Sequence, residues 1–548
     1  MKRIFIILIS LCAVISAYAD DDVIEIWNKA QLETFRDAVN GGNTYSGKTV
    51  NLMADITIVS DDHWIPIGMS EQRWDEEHSA YVKDETCVFK GTFDGQGNTI
   101  TITVSSNHIA LGLFGYLYGT VQHLKVAGNI TNTSTLTSST AGIAGYNRGT
   151  ISECANLAYI VGTTAGGIAG ENHGTITNCY NQGNIDATYD YVDTYYLGGI
   201  TGAIDADDAE ISNVYASCTI YDKNEPGGIV AKNIKGTLSN CCYYYVWLKG
   251  DYSNHYIGNV GTPITSLEGI TLDGKLNAAG NHSVWTFTDG QLPELTCFKN
   301  KIVRLGDNND NGAVLASYHE KTCTVELSGR TLYKDGAWNT LCLPFDLALS
   351  GSVLDGDNVV AKVLDGANTS LDNTGLLSLT FNEAPATILA GTPFIIKWDN
   401  TGSHLTNVRF SGVTLNKTAP TPATFSNAFG ADGQFIGTYS PFSIDDGNID
   451  KIVLLSDGNT LGYSKNNRTL RSCRAHFMIP TTTSGIRAMV DFDIDFNGGE
   501  STGVAALNDN GEMIHDNDGW YTLTGVKLDG KPTRRGIYLH NGRKEAVK

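Results

Sequence analysis

The sequence predicts an all-β chain: a right-handed parallel β-helix, then an antiparallel β-sandwich region and a short C-terminal β tail. Two observations carry the first part. Residues 110–247 repeat one pattern five times, and the aliphatic residues of the copies fall into columns. A third observation, the change to separate alternating strands after about residue 300, carries the rest.

The copies read Gly112-Leu113-Phe114-Gly115 with GTVQHL at 119–124, Gly142-Ile143-Ala144-Gly145 with GTISEC at 149–154, and Gly167-Ile168-Ala169-Gly170 with GTITNC at 174–179. Two looser copies follow: Gly199-Ile200-Thr201-Gly202 with AEISNV at 209–214, and Gly228-Ile229-Val230 with GTLSNC at 236–241. Aligned, they give one column of Leu113, Ile143, Ile168, Ile200 and Ile229, and a second of Val121, Ile151, Ile176, Ile211 and Leu238. A third holds Leu124, Cys154, Cys179, Val214 and Cys241; a fourth holds Ile130, Ile160, Ile185 and Ile220, with Trp247 in the last copy. A coil of roughly 25–30 residues cannot bury its inward face alone, so successive coils must stack and share one core.

Taken in order, residues 1–19 read as a secretory signal: Lys2 and Arg3, an apolar run from Ile4 to Ile15, and Ala17-Tyr18-Ala19 before Asp20. The mature chain is therefore expected to be exported, secreted or held at the outer-membrane surface. No other apolar stretch is long enough to span a bilayer as a helix. Residues 28–40 place Leu32, Phe35 and Val39 on one helical face, with Asn28 as N-cap and Gly41-Gly42 as stop. Such a helix would cover the open end of the solenoid core, which otherwise presents a pairing edge. KTVNLMADITIV (48–59) and CVFKGTFDGQGNTITITV (87–104) read as less regular first coils, and the β-helix spans 20–298. The sandwich region is 299–505, with strands such as VELSGRTLY (325–333) and GTPFIIKW (391–398). The tail is 506–548, where WYTLTGVKL and GIYLH, separated by DGKP, suggest a strand pair.

The formal charge is −21, and losing Lys2 and Arg3 takes it to −23. Such a surface suits neither nucleic acid nor anionic membrane. Against that background, residues 519–548 hold Lys527, Lys531, Arg534, Arg535, Arg543, Lys544 and Lys548 against Asp529 and Glu545. Export would permit disulfides, but Cys154, Cys179 and Cys241 share a column with Leu124 and Val214, so the site asks for a small apolar side chain.

The copies at 110–246 resemble the GLUG repeats of bacterial surface proteins, among them members of the IgA-specific metalloprotease family. WIPIG (64–68) followed by FKGTFDGQGNTI (89–100) looks like the lead-in to such repeats in proteins of the Bacteroidota, and GRTLYKDGAWNTLCLPFDL (329–347) resembles a sandwich-domain signature of the same group. Residues 519–548 look like the end of C-terminal domains read by the type IX secretion system, which implies the outer-membrane secretion machinery as a partner. The repeat resemblance implies architecture and leaves chemistry open.

Protease activity is not carried over with the resemblance. A helical zinc site needs two histidines on one face, and His319-Glu320-Lys321-Thr322-Cys323 has one. DNNDNG (307–312) has Asp307, Asn309 and Asn311 at calcium-ligand spacing, but Tyr318 stands where a bidentate Glu is needed, so it reads as a polar turn. No residue is singled out as catalytic or metal-binding, and no cofactor is implied. Within 105–250 the single arginine is Arg148, which weakens a polysaccharide lyase or glycosidase.

The link from the fourth column to the next Gly runs twelve, seven, fourteen and eight residues, so one corner carries projecting loops. The longest, DATYDYVDTYYL (186–197), offers Tyr189, Tyr191 and Tyr195 with Asp186, Asp190 and Asp193. Flat apolar rings beside acceptors suit a sugar ring or a protein hot spot, and these six residues are the candidate ligand site. Tyrosines packed on their own coil would look the same in sequence. Function is thus expected to be binding to host glycan, mucin or a surface protein. An extracellular polysaccharide-acting enzyme and a structural spacer stand as alternatives: a facing carboxylate pair would mark the enzyme, an aromatic loop corner the binder.

Overall fold

Parallel strands set about 4.8 Å apart turn a column of like residues into a ladder of touching side chains, and the columns become such ladders in the structure. It is a computed structural model that describes residues 23–480 apart from 60–63, 70–71, 76–79, 84, 135, 188–194, 222–225, 234, 244–246, 249–261, 264–275, 277–282, 289, 357, 374–375, 399–402, 457–459 and 465. Beyond 480 it describes 491–495, 520–521, 527–528, 531–532, 536–540 and 543–547. The chain divides into two units at Lys301–Ile302.

The first unit is a parallel β-solenoid. Eight strands pair in succession, all parallel: Val23–Ile26, Thr49–Leu52, Thr92–Asp94, Thr120–Gln122, Thr150–Ser152, Thr175–Thr177, Glu210–Ala216 and Thr237–Tyr243. That succession makes about seven turns. Two further parallel sheets close each coil. One stacks Ala110–Leu111, Ser139–Ala141, Thr164–Gly166 and Tyr196–Gly198; the other stacks Phe114–Leu117, Ala144–Asn147, Ala169–Asn172, Thr201–Ile204 and Val230–Asn233.

The registers place Val121, Ile151, Ile176, Ile211 and Leu238 in one line, and Phe93 and Val50 extend it into the first coils. In the fourth column the last position is corrected: Thr219 pairs with Trp247, so Ile220 pairs with Leu248 and an aliphatic residue stands there after all. A one-residue slip in a strand moves every side chain to the other face, so this column is kept by shifting the register.

The Gly of each Gly-Thr step is explained by backbone approach. A Cβ at Gly149 would lie 1.9 Å from the Gly119 carbonyl oxygen, and one at Gly174 2.2 Å from that of Gly149. Only glycine lets adjacent coils close to that distance.

In the third column the thiols behave as small hydrophobes with a weak donor. Cys154, Cys179 and Cys241 are free and buried. Each thiol donates to the carbonyl of the residue two before it, at 3.2, 3.2 and 3.3 Å, and also reaches the preceding rung at Val121, Ile151 and Ile211, 3.6–3.7 Å away.

The cap helix is Lys29–Asn40, and the Asn28 Oδ1 accepts from the Gln31 N–H at 3.0 Å. Its face of Leu32, Phe35 and Val39 is buried. Phe35 packs edge-on against Phe89, and Phe89 and Phe93 pack on Phe114, so the helix closes the core with an aromatic plug. A strap with the antiparallel pair Trp285–Thr286 and Glu294–Leu295 lies along the outside. Its Trp285, Leu295 and Phe298 cover a stacked column of Ala155, Tyr180, Tyr215 and Cys242, and the Tyr215 hydroxyl donates to the Pro293 carbonyl at 2.7 Å.

The second unit is also β-built. A three-stranded sheet joins Ile302–Gly306, Thr322–Leu332 and Leu405–Thr414, the first pair parallel. A larger, mostly antiparallel sheet runs from Asn339–Cys342 through Pro393–Trp398 to Arg474–Met478 and Thr460–Tyr463. The polar turn at 307–312 is held by protein groups: Asp307 is gripped by Arg474 and Arg471, and Asn311 Nδ2 donates to the Tyr439 carbonyl at 2.7 Å. In the tail, Trp520–Tyr521 pairs antiparallel with Lys527–Leu528, so the expected single strand WYTLTGVKL is instead two strands. Gly536–His540 and Arg543–Val547 complete a four-stranded antiparallel sheet.

The column chemistry makes a paired prediction. Cys179→Val is a near volume-conserving core change and should alter stability by less than about 1.5 kcal/mol. Ile176→Asp buries an unpartnered carboxylate and should cost about 3–5 kcal/mol. Denaturant melts followed by far-ultraviolet circular dichroism check both; melting by a reducing agent alone would contradict the thiol assignment.

Candidate functional site

At the projecting corner, the structure separates the six expected residues. Tyr189, Asp190, Tyr191 and Asp193 lie outside the described residues. Asp186 is half-buried on the strand Ile185–Ala187 and accepts from the Tyr159 hydroxyl at 2.6 Å. Tyr195 is turned inward, 7% exposed within the main core cluster, and its hydroxyl is buried without a hydrogen-bond partner. It stands one residue before Tyr196, which pairs with Thr164, and therefore continues the inward line of Ser138 and Thr163. Tyr195 thus presents no ring face to a ligand, and the packed alternative holds for it.

A second feature is a column of turn residues. Gln96, His123, Glu153, Asn178, Asn213 and Asn240 all adopt φ between 50° and 53°, one per coil. Among residues with a side chain, asparagine is one of the few that visit this left-handed conformation readily. Where the column carries larger side chains, they form a chain of charge: His123 Nδ1 lies 3.0 Å from Asp94 Oδ1, and His123 Nε2 lies 3.8 Å from Glu153 Oε2. Hydrogen bonds to Asp94 and Glu153 push the His123 pKa up to about 10 against the cost of burial. Burial would raise Asp94, but hydrogen bonds from His123, Gln122 and the Gln96 N–H hold it below its ordinary value.

These two carboxylates flank a filled space. An imidazolium occupies the gap in which a glycosidase would seat its sugar and water. A general acid at neutral pH also needs a raised carboxyl pKa, whereas that of Asp94 is lowered.

The third feature lies on the sheet face carrying Phe114–Leu117, Ala144–Asn147 and Ala169–Asn172. Along these strands alternate residues face outward, so register puts Tyr116, Tyr146 and Glu171 in one outward column and Tyr118, Arg148 and His173 in the next. The rings of Tyr116 and Tyr146 stack with centroids 5.4 Å apart and planes 21° apart; His173 continues the stack on Tyr146 at 5.3 Å and 21°. The Arg148 guanidinium lies 6.0 Å from the ring centroids of both Tyr118 and Tyr146, within cation–π range, and the side chain is exposed. Burial would raise the Glu171 pKa, but hydrogen bonds from His173, Tyr146 and Ser139 hold it below the ordinary value. The Ser139 hydroxyl donates to Glu171 Oε1 at 2.7 Å. Glu171 is therefore ionised at neutral pH and fixed in place. Two rungs on, Lys232 lies 4.5 Å over the Tyr196 ring.

Reading aliphatic columns alone misses this face, although its signal is present: Tyr116 and Tyr146 stand two residues after the Phe114 and Ala144 positions of consecutive copies. Two buried asparagine ladders are missed in the same way. Asn147 Nδ2 donates to Asn172 Oδ1 at 2.7 Å, and Asn156 Nδ2 to Asn181 Oδ1 at 2.8 Å, each pair 25 residues apart. Among the described residues, no group of three His, Cys, Asp or Glu side chains is placed to hold a metal ion.

No protein-family model matches the chain, and no curated protein matches it. Among solved structures it is similar to the crystal structure of a "putative immunoglobulin A1 protease from Bacteroides ovatus", at 21% identity and a TM-score of 0.35, covering 50% of this chain and 92% of that one. A likeness of that size transfers no activity.

The charge chain sets a pH dependence. His123 titrates near 10 when folded and at its ordinary 6.5 when unfolded. Its contribution is thus fully present below pH 6.5 and is lost as pH rises toward 10. Denaturant melts across pH 6–10 should show stability falling in that window, and His123→Asn should remove that part of the slope. An unchanged slope in the variant would contradict the pairing.

Proposed function

We propose that this chain is an exported, surface-associated binding protein, and that the Tyr116–Tyr146–His173 face holds a glycan. One observation carries the proposal: three rings stacked one on the next, Tyr116 and Tyr146 in one column and His173 in the neighbouring one, beside an exposed arginine and an ionised glutamate. A sugar presents apolar C–H patches and hydroxyl groups, and this face offers the partly exposed rings of Tyr116 and Tyr146 and the exposed cation of Arg148 on rigid strands. The backbone that carries them is hydrogen-bonded on both sides, so little order has to be created on binding. Host glycan or mucin fits this chemistry; another surface protein is the alternative ligand. The loop at 186–197, with Tyr189, Asp190, Tyr191 and Asp193, is the alternative location for the ligand. Polysaccharide cleavage is less well supported because the Asp94 and Glu153 carboxylates both engage His123.

The test is attachment of the full chain to immobilised mucin glycans. Changing Tyr116 and Tyr146 together to Ser should weaken attachment by about thirtyfold, the size of an aromatic hot spot near 2 kcal/mol. Tyr195→Phe should leave it unaltered. Equal attachment by the double variant would remove this face, and loss on changing Tyr189 and Tyr191 instead would place binding at the corner.

Export completes the proposal. The basic segment 519–548 would be read by outer-membrane secretion machinery, supported by its charge against an acidic body and by its separate small sheet. Deleting 519–548 should leave the protein folded but confined to the periplasm, as seen by protease shaving and fractionation. Full surface exposure of the truncated chain would assign the tail a structural role.

A further inference from the structure

We infer that Cys342 and Cys473, in the second unit, close into a disulfide when the chain folds in an oxidising compartment. The oxidant rests on the export proposed above, and the pairing rests on the fold. The two cysteines are distant in sequence, and no spacing links them. In the structure the Cys342 N–H donates to the Cys473 carbonyl at 3.3 Å, and close by the Ala475 N–H donates to Thr340 Oγ1 at 3.3 Å. Residues joined by a backbone hydrogen bond across strands have Cα atoms about 5.5 Å apart, inside the span that a disulfide bridges.

Both thiols are free, buried and members of one core cluster. After burial, the charge of Cys473 is what raises the Cys342 thiol, and the two thiols together raise Tyr439, so the sulfurs lie near one another. Gly437 reserves the space: a Cβ there would collide with the Cys342 Cβ and Sγ. Cys473 itself holds φ 54°, an unfavourable conformation for a residue with a Cβ, so the chain accepts strain to place a cysteine at this turn. The solenoid thiols differ. Cys154 and Cys179 stand on successive parallel rungs with side chains pointing the same way, and each donates to a carbonyl.

The bond forms by thiol–disulfide exchange with a small or protein disulfide as oxidant. One cysteine thiolate attacks that disulfide, forming a mixed disulfide and releasing one thiolate of the oxidant. The second cysteine, having lost its proton to solvent, attacks the protein sulfur of the mixed disulfide and expels the other. Two cysteine thiols are oxidised, and one disulfide is reduced to two thiols. Burial raises the Cys342 thiol and pushes Cys473 up to about 12, so neither is a thiolate at neutral pH once folded. Exchange requires a thiolate, and the bridge therefore closes during folding, before the strand Asn339–Cys342 is covered.

The experiment refolds the reduced, denatured full chain in a mixture of oxidised and reduced glutathione, alkylates the remaining thiols and maps the digest by mass spectrometry. The expected product is a cross-linked peptide joining Cys342 to Cys473, two hydrogens lighter than the dithiol, with alkyl groups on Cys154, Cys179 and Cys241. The bridge closes a loop of about 130 residues, so the second unit should unfold about 1 M higher in urea than in the reduced, still folded chain. Cys342→Val should abolish that difference. Adding the same mixture to the folded reduced chain should bridge the pair at least about tenfold more slowly than refolding does. Alkylated Cys342 and Cys473 after refolding, or a bridge from either to another cysteine, would overturn the pairing. Mapping the chain recovered from its own cells separates the two readings. A pair bridged by refolding yet alkylated in cells would contradict export and leave the pairing standing, whereas a pair alkylated in both would overturn the pairing and leave export untouched.

Discussion

In-register stacking of one coil on the next is the constraint on which the rest of the solenoid depends. A single coil exposes its inward aliphatic residues on two sides, and only neighbours with the same residues at the same places can cover them. Register therefore has to be held at every rung, because a one-residue slip in any one coil would turn its own member of the column, Ile151, Ile176 or Ile211, outward. The glycines at 119, 149 and 174 let backbones approach, the left-handed residues from Gln96 to Asn240 turn each coil at the same place, and the buried asparagines tie rung to rung. These devices sit in different parts of the coil and enforce one spacing. At the start of the stack the helix Lys29–Asn40 supplies the missing neighbour.

The same spacing creates the surface chemistry. A rung distance of about 4.8 Å brings outward side chains from consecutive coils within reach of one another. Where they are aromatic they stack, as Tyr116, Tyr146 and His173 do; where they are ionisable they pair, as Asp94, His123 and Glu153 do. The two outcomes differ in what they leave available. The charge chain satisfies itself and is used up in holding a corner. The aromatic face carries the partly exposed rings of Tyr116 and Tyr146 and the exposed side chain of Arg148, which is why it, and not the histidine node, is the better candidate for a ligand.

Legibility from sequence followed periodicity. The aliphatic columns could be read because five copies repeat one residue type, and Cys154, Cys179 and Cys241 could be read as core because they share a column with Leu124 and Val214. Trp247 misled because the column was counted at a fixed offset, while the strand pairs one residue later at Leu248. Tyr195 misled for a different reason: composition marks the 186–197 segment as a loop, yet its last residues already belong to a stacked strand whose alternation turns Tyr195 inward. The aromatic face escaped because its column mixes Tyr116, Tyr146 and Glu171, and neighbouring columns supply His173 and Arg148. Residue types that differ rung by rung leave no repeat to find, although the backbone repeat places them side by side.

Hydrogen exchange of the full chain, followed by mass spectrometry with and without released mucin glycans, separates the candidate surfaces directly. Glycan held on the aromatic face should slow exchange in peptides spanning 114–118, 144–148 and 169–173 and leave the 186–197 corner and the strap at 283–299 unchanged. Protection confined to 186–197, or no protection anywhere in the solenoid at saturating glycan, would contradict binding at this face.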